Sequence, residues 1–279
     1  MDTPSLYPPA FQIGTRPIRS DRVWLAPDVG TQAHIDDKHR IYASEPRTHF
    51  YMARDDTHRA QQDVSALLRS HLRSNCRSFY NSFDFDGPAE VLPPLLQASF
   101  WVADDLVLMR RHDDGWRLVA ASLFAPSYWT LAEKFDRPLQ VIHDPVPEFG
   151  EGTRKSELIT RMFDHIKPGV ILERRNWSFH AEGDWYAPGQ HPHELLTDDV
   201  NDDVLAAMFV RTEYQTIQKL PVSDDVLFTI GVKTRKLSEL QKKNEAKHLA
   251  DRICELDFNQ REYKGLETGI DRLAAFLAG

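Results

Sequence analysis

The sequence predicts an α+β fold in which an antiparallel sheet carries helices at its ends and margins. Three observations predict it. Two pairs of β-prone runs are joined by turn signals: "DLVLMRR" and "WRLVAASLFA" flank "HDDG", and "AAMFVRTEYQTIQKLP" and "DVLFTIGVKTR" flank "PVSDD". Apolar residues at helical spacing stand before, between and after these hairpins. No strand–helix–strand alternation dominates, and no internal repeat or low-complexity tract interrupts the chain.

Taken in order, residues 1–30 are proline-rich and aperiodic, and read as an arm that packs on the body or stays loose. Residues 31–279 read as a single domain ending in helices. From Arg59 to Arg73, Val64, Leu67, Leu68 and Leu72 recur at helical spacing, and "YNSFDFDGPAEVLPP" then breaks the period with glycine and prolines. After the first hairpin, "SYWTLAEKFDRPL" is a short helix stopped before Pro138, because a residue preceding proline is pushed out of the helical region. "LQVIH" is then a brief strand or extended edge. "TRKSELITRMFDHIKPG" places Leu158, Ile159, Met162, Phe163 and Ile166 on one helix face and ends at Pro-Gly. "VILERRNWSFHAEG" reads as a strand and "DWYAPGQHPHELLTD" as an irregular loop. The last two segments, "LSELQKKNEAKHLADRICEL" and "YKGLETGIDRLAAFLAG", are helices, the latter with Ile270, Leu273, Phe276 and Leu277 on one side.

Composition bounds the function. The 279 residues are 41% hydrophobic, enough for a real core. The two cysteines, Cys76 and Cys254, lack Cys-x-x-Cys spacing, which argues against a disulfide framework, a structural zinc site and a four-thiolate cluster and favours a reducing, cytoplasmic home. A net charge of -8 gives no field to gather nucleic acid or an anionic membrane. No segment reaches the roughly 18 apolar residues of a membrane span, and the amino-terminal prolines do not suit a secretory leader. A small ligand or a protein tolerant of acidic surfaces is the expected partner.

Dinucleotide and nucleoside-triphosphate fingerprints, a Gly-x-Ser-x-Gly elbow and a His-Glu-x-x-His motif are absent. Of the twelve histidines, His34, His39, His49, His58 and His71 stand in polar surroundings and read as surface residues, and His112 lies in a turn. His191 and His193 in "QHPH" can share a metal only if a third ligand exists elsewhere, so a solvated loop is favoured. His143 differs: it closes the apolar run Leu139, Val141, Ile142, and Pro145 and Pro147 restrict the chain beyond it. Such a residue is either a core histidine with one satisfied hydrogen bond or an axial ligand oriented by rigid backbone.

In "VRTEYQTIQKLP", strand alternation puts Arg211, Glu213 and Gln215 on one face and Thr212, Tyr214 and Thr216 on the other. The polar face is either solvent-facing or the wall of a buried pocket in which an arginine and a carboxylate orient an oxidant or a cationic substrate. In "ERRNWSF", the adjacent Arg174 and Arg175 are either surface charges or include one receptor for a carboxylate, with Asn176 beside them and Trp177 in the core.

Three ordered stretches, "VADDLVLMRRHDDGWRLVAASLFAPSYWTLAEKFDRPLQVIHDPVPEF", "RRNWSF" and "VRTEYQTIQKLPVSDDVLFTI", resemble the family of haem-dependent oxidative N-demethylase alpha subunits. The resemblance runs from about Trp24 to the carboxy terminus, and "PLQVIHDPVP" and Arg-x-Glu-x-Gln-Thr followed by Leu-Pro are its most particular parts. It implies a PAS-like fold enlarged by flanking helices around a b-type haem, and oxygen chemistry on a small amine, with oxidative N-demethylation foremost. N-oxygenation or another oxidation of a biosynthetic intermediate, and a haem-based gas or redox sensor, are the alternatives. By the same resemblance His143 is the proximal iron ligand, and Arg211 and Glu213 line the distal side. Chemistry then gives Arg211 to bound oxygen, or to a propionate if the haem is reversed, and Glu213 to an ammonium or a proton. Lys134, Arg175 and Asn176 are the candidates for holding the cofactor's periphery. Electrons come from a separate flavin and iron–sulfur reductase drawing on NADPH, since the chain carries no such site of its own.

The chain also departs from the family pattern. Tyr214 stands where relatives tend to have arginine, Glu148, Asp136 and Asp224 where glycine is common, and "FTIGVKTR" lacks the usual ending. Alternation turns Tyr214 away from Arg211. These departures bear on the substrate more than on haem binding.

Overall fold

Both expected hairpins form, and each turn has a visible cause. The computed structural model describes residues 6–85, 92–189, 195–197, 199–240 and 245–279. Among them lie strands β1 (Arg16–Pro17), β2 (Tyr51–Ala53), β3 (Asp105–His112), β4 (Gly115–Ser122), β5 (Ile171–His180), β6 (Phe209–Lys219) and β7 (Val226–Lys236). In the β3–β4 hairpin His112 pairs with Gly115 across Asp113-Asp114, and Gly115 takes φ +124°, which an L side chain rarely adopts. In the β6–β7 hairpin Asp63 Oδ2 accepts from the backbone N–H of Val222 and Ser223 at 3.1 and 3.0 Å. Arg110 forks onto Asp225 at 2.9 and 2.7 Å beside the same turn.

Joined edge to edge through β7 and β3, the hairpins build one antiparallel sheet of order β1-β5-β6-β7-β3-β4-β2. The fold is thus a mixture of helices and antiparallel sheet. Alternation along β3 divides the core: Leu106 and Leu108 face one layer, Val107 and Met109 the other. The first layer is made by the Thr31–Ser44, His58–Asn75 and Pro94–Ser99 helices, which bury Ile41, Leu68, Leu72 and Leu95. The second is the crossover from β4 to β5, which includes the Arg154–His165 helix. A third cluster joins Trp177 and Phe179 of β5 to the Glu245–Cys254 and Ile270–Ala278 helices through Leu249, Ile253 and Leu273. Among the described residues no helix is long and apolar enough to cross a membrane.

The crossover corrects two expectations. "LQVIH" is not a strand: Leu139–Ile142 is one helical turn, with Pro138 extended at φ -59°, ψ 145° before it and Ile142 N–H donating to the Pro138 carbonyl at 3.0 Å. Proline starts a helix as readily as it forbids one behind it, because the donor it lacks is unsatisfied there anyway. The helix expected over "SYWTLAEKFDRPL" shrinks to Leu131–Lys134, opened by a Thr130–Glu133 capping box, since Tyr128 takes φ +59° just upstream. In the Arg154–His165 helix, Ile159 and Phe163 are buried, followed by Ile166, whereas Leu158 falls off the edge of the stripe and is 39% exposed. Two histidines read as surface are half-buried, His34 stacked 3.4 Å from Trp185 and His71 edge-on to Trp24. His191 and His193 lie outside the described residues.

The amino-terminal segment is packed down. β1 pairs with β5, Tyr7 is buried, and Trp24 Nε1 donates to Thr216 Oγ1 at 2.9 Å.

Asp136, Glu148 and Asp224, noted above as departures from the pattern the sequence resembles, all have left-handed backbones, with φ of +55°, +67° and +62°. Glycine occupies that region without a Cβ clash. Asp224 makes one ion pair, to Lys219 at 3.1 Å, and is itself 80% exposed, so little is lost with it. Asp224→Gly is expected to stabilise the protein by about 0.5–1 kcal/mol, read as a later urea midpoint at unchanged slope. An earlier midpoint would show that the side chain matters more than the backbone.

Candidate functional site

Between the sheet and the crossover lies a cavity of about 320 Å³, a size proper to small-molecule sites. Its floor is the sheet face presented by alternate residues: Arg174 and Asn176 of β5, Glu213 and Gln215 of β6, and Phe228 and Ile230 of β7. Register makes them neighbours, because Asn176 pairs with Glu213, Arg174 with Gln215, and Gln215 with Ile230. The crossover supplies the roof, with Lys134, His143, Phe149 and Met162. Phe11 and Ile13 of the amino-terminal segment and Tyr263 and Lys264 near the carboxy terminus close the ends.

His143 caps the Leu139–Ile142 turn, where its backbone N–H donates to the carbonyls of Leu139 and Gln140 at 3.2 Å each. The exposed part of its half-buried ring belongs to the cavity wall. Burial, then the charges of Arg174 and Lys134, push its pKa down to about 4 against the support of the Leu139 carbonyl. The imidazole is therefore neutral at pH 7, the form that donates a lone pair to a metal.

Glu213 is the carboxylate of the floor. It accepts from Gln215 Nε2 at 2.7 Å, and from Asn176 Nδ2 and Arg211 Nε at 3.4 Å each. Arg211 shares its face, as alternation requires, yet is only 1% exposed and does not reach the cavity wall. Its guanidinium donates to the carbonyls of Trp185, at 3.0 Å, and Ala125. The structure thus joins Arg211 to the cavity through Glu213.

Lys134 lines the roof, where Nζ donates to the Ile142 carbonyl at 3.0 Å and burial lowers its pKa. Asn176 faces the cavity, whereas its neighbour Arg175 stands on the opposite face with its guanidinium 5.1 Å from the Tyr214 ring centroid. Tyr214 also points there, donating to Glu173 Oε2 at 2.6 Å. The arginine that faces the cavity is Arg174. Its N–H donates to the Gln12 carbonyl at 3.3 Å, its Nε is buried with no partner, and burial lowers its pKa.

Sequence reasoning left Arg174 and Arg175 as a pair and chose Arg175, and it missed Lys264 and the amino-terminal lining. Alternation held the signal for Arg174, since residues facing the same way as Asn176 are 174 and 178 rather than 175. Lys264 has none, being a single lysine after a short helix.

Burial pushes the Lys264 ammonium down to about 8 from 10.5, with Glu213 opposing. The sign follows from proton counts: between these values the unfolded chain holds more protons, so this residue makes stability rise with pH from about 8 to about 10.5 and stay level below. Lys264→Met is therefore expected to gain about 1–3 kcal/mol at pH 7, with the gain fading by pH 10.5. Urea unfolding of both proteins across that range measures it, and a gain independent of pH would contradict the cause.

Among the described residues no group of three His, Cys, Asp or Glu could hold a bare metal ion. A haem needs no such group, because its macrocycle brings four nitrogens and asks the protein for one axial ligand, an apolar shell and cations for its propionates. One neutral imidazole, a mostly apolar lining, the half-buried cations Lys134 and Arg174, the latter with an orphaned donor, and the buried Lys264 meet that demand.

No curated protein matches the chain. The model of the family described as "haem-dependent oxidative N-demethylase, alpha subunit-like" matches residues 19–273, and so covers β2 to β7, the crossover and every cavity residue except Phe11, Ile13 and Thr15. With a match over most of its length, the chain belongs to the haem-dependent oxidative N-demethylase alpha subunit-like family.

Proposed function

We propose that this chain is a cytoplasmic, haem b-dependent monooxygenase that removes a methyl group from a small amine, with dioxygen as oxidant and electrons from a separate flavin and iron–sulfur reductase fed by NADPH. The sheet and its crossover are read as a PAS-like haem domain, to which residues 1–30 add an arm. The carrying observation is His143, a neutral imidazole on the wall of a mostly apolar cavity whose charged groups are the cations Lys134, Arg174 and Lys264 and the carboxylate Glu213.

His143 would hold the iron, and Lys134 and Arg174 the propionates, with Asn176 at the periphery. When bound, the haem supplies oxygen activation and oxidation of a C–H bond beside nitrogen. Glu213 holds the substrate ammonium and takes its proton, which turns the methyl group toward the reacting centre. Gln215 and Asn176 fix that carboxylate by their amide N–H groups. Arg211 acts through Glu213, anchoring it to the backbone carbonyls of Trp185 and Ala125. Apolar walls such as Phe228 and Ile230 exclude water from the hydroxylated amine's precursor. One oxygen atom enters the methyl carbon, which leaves as formaldehyde with the shorter amine; the other leaves as water with two electrons and two protons.

The test is an absorption spectrum of protein purified from haem-replete cells, followed by incubation with a methylated amine, dioxygen and a chemical reductant. A Soret band and formaldehyde in step with amine loss are expected. A colourless protein that refuses hemin would end the reading, and a coloured one that oxidises amines without formaldehyde would replace demethylation by another oxidation. Turnover by the isolated polypeptide with reduced nicotinamide as sole donor would remove the reductase.

A further inference from the structure

Two buried lysines in this protein make opposite use of their donors. Lys38, 3% exposed, gives its three N–H groups to the carbonyls of Ser99, Val102 and Asp104 at 3.0, 3.1 and 2.6 Å. Such a lysine is a structural clamp. Lys264, 6% exposed, gives one N–H, to the Trp177 carbonyl at 2.8 Å. Its ammonium lies 4.4 Å from the Trp177 ring centroid and 5.2 Å from that of Phe11, and it opens into the cavity. Among the described residues its other two donors meet no hydrogen-bond acceptor, only the faces of those two rings and the cavity.

Glu213 lines the same cavity and its charge acts on Lys264, but the nearest cation to form an ion pair with it is Arg211, at 3.4 Å. Lys264 and Glu213 present opposite charges across the cavity without closing on each other. The wider balance points the same way. Lys134, Arg174 and Lys264 set three cations against one carboxylate in a lining that is otherwise mostly apolar. The two propionates of the proposed haem answer Lys134 and Arg174, which leaves Lys264 and Glu213, and in low-dielectric surroundings a ligand bringing only positive charge leaves Lys264 unmatched where one bringing both signs does not. Lys134 and Arg174, the two cations whose charges reach His143, are those given to the propionates above, which leaves Lys264 for the substrate.

We propose that the substrate is a small zwitterion, an N-methylated amino acid, whose ammonium is held by Glu213 and whose carboxylate is held by Lys264. The proposal rests on the demethylase reading and narrows it from amines in general. Lys264 is then the residue that sets specificity, and its destabilising burial is retained for recognition rather than for the fold.

Calorimetric titration of the haem-loaded full-length protein with N,N-dimethylglycine and with dimethylamine tests it. Dimethylglycine is expected to bind at least about tenfold more tightly, as one good charge-assisted contact gives. Lys264→Met should erase that preference without changing haem content, and Lys264→Arg should keep part of it. Equal or tighter binding of dimethylamine by the wild type overturns the proposal, as does binding of neither probe. A preference that survives in Lys264→Met, or haem lost from that variant, overturns it as well, the latter by moving Lys264 to the propionates. Failure of the protein to take haem at all would instead sink the demethylase reading, and the two failures are told apart by the Soret band alone.

Discussion

His143→Ala is expected to leave a folded protein that has lost its haem. The side chain ends a single helical turn, meets the Phe149 ring of the same crossover at 6.1 Å between centroids, and turns its free surface to the cavity. Its removal therefore changes stability by no more than about 1 kcal/mol. On the proposed reading the iron would lose the one imidazole the cavity wall offers among the described residues. Haem content should fall at least about tenfold, since even the partners that merely orient a ligand cost about that much when removed. Soret absorbance per protein measures the loss and circular dichroism the fold. Added imidazole, which can refill the space, should restore a ferric Soret band in part. Wild-type pigment in the variant would move the ligand elsewhere and dissolve the argument for this wall of the cavity.

The reason His143 could be found in the sequence while its local structure could not is physical. The prolines at 138, 145 and 147 announce a rigid backbone, which was enough to single out the imidazole. They do not say whether four apolar residues between them are extended or one turn of helix, because Leu139 and Ile142 suit both. Longer elements left no such choice: β6 and β7 run eleven residues each with clear alternation, and the Arg154–His165 helix carries a stripe over three turns. The site was legible only where it lay on those elements. Glu213 and Gln215 follow from the period of β6, and Arg174 was there to be read on β5. Phe11, Ile13 and Lys264 reach the cavity from aperiodic or short segments, and only the folded chain brings them in. The glycine departures were visible as letters, but their left-handed backbones were not.

Arg211 and Glu213 looked equivalent in the strand pattern, and mutation should separate them. Arg211 is the second-largest of the fully buried side chains and holds the carbonyls of Trp185 and Ala125. Arg211→Ala orphans both acceptors and leaves a void, at about 1–3 kcal/mol for each lost bond, so a loss of roughly 3 kcal/mol or more is expected. Activity would then fall through instability, with reduced soluble yield and an early urea midpoint. Glu213→Gln keeps the shape and loses only the charge. Haem content should stay near wild type and stability should fall by about 1–3 kcal/mol, because buried Arg211 and Lys264 lose the carboxylate beside them, while kcat/KM per haem-loaded folded protein falls by about 10²–10⁴, the usual cost of removing a positioned acid–base group. Gln215 and Asn176 would still offer N–H groups to the new amide, so its oxygen remains tethered and the lost rate cannot be laid to disorder. An Arg211→Ala protein as stable as wild type, and slow only in chemistry, would put the guanidinium in the reaction itself; a Glu213→Gln enzyme at full rate would remove the carboxylate from it.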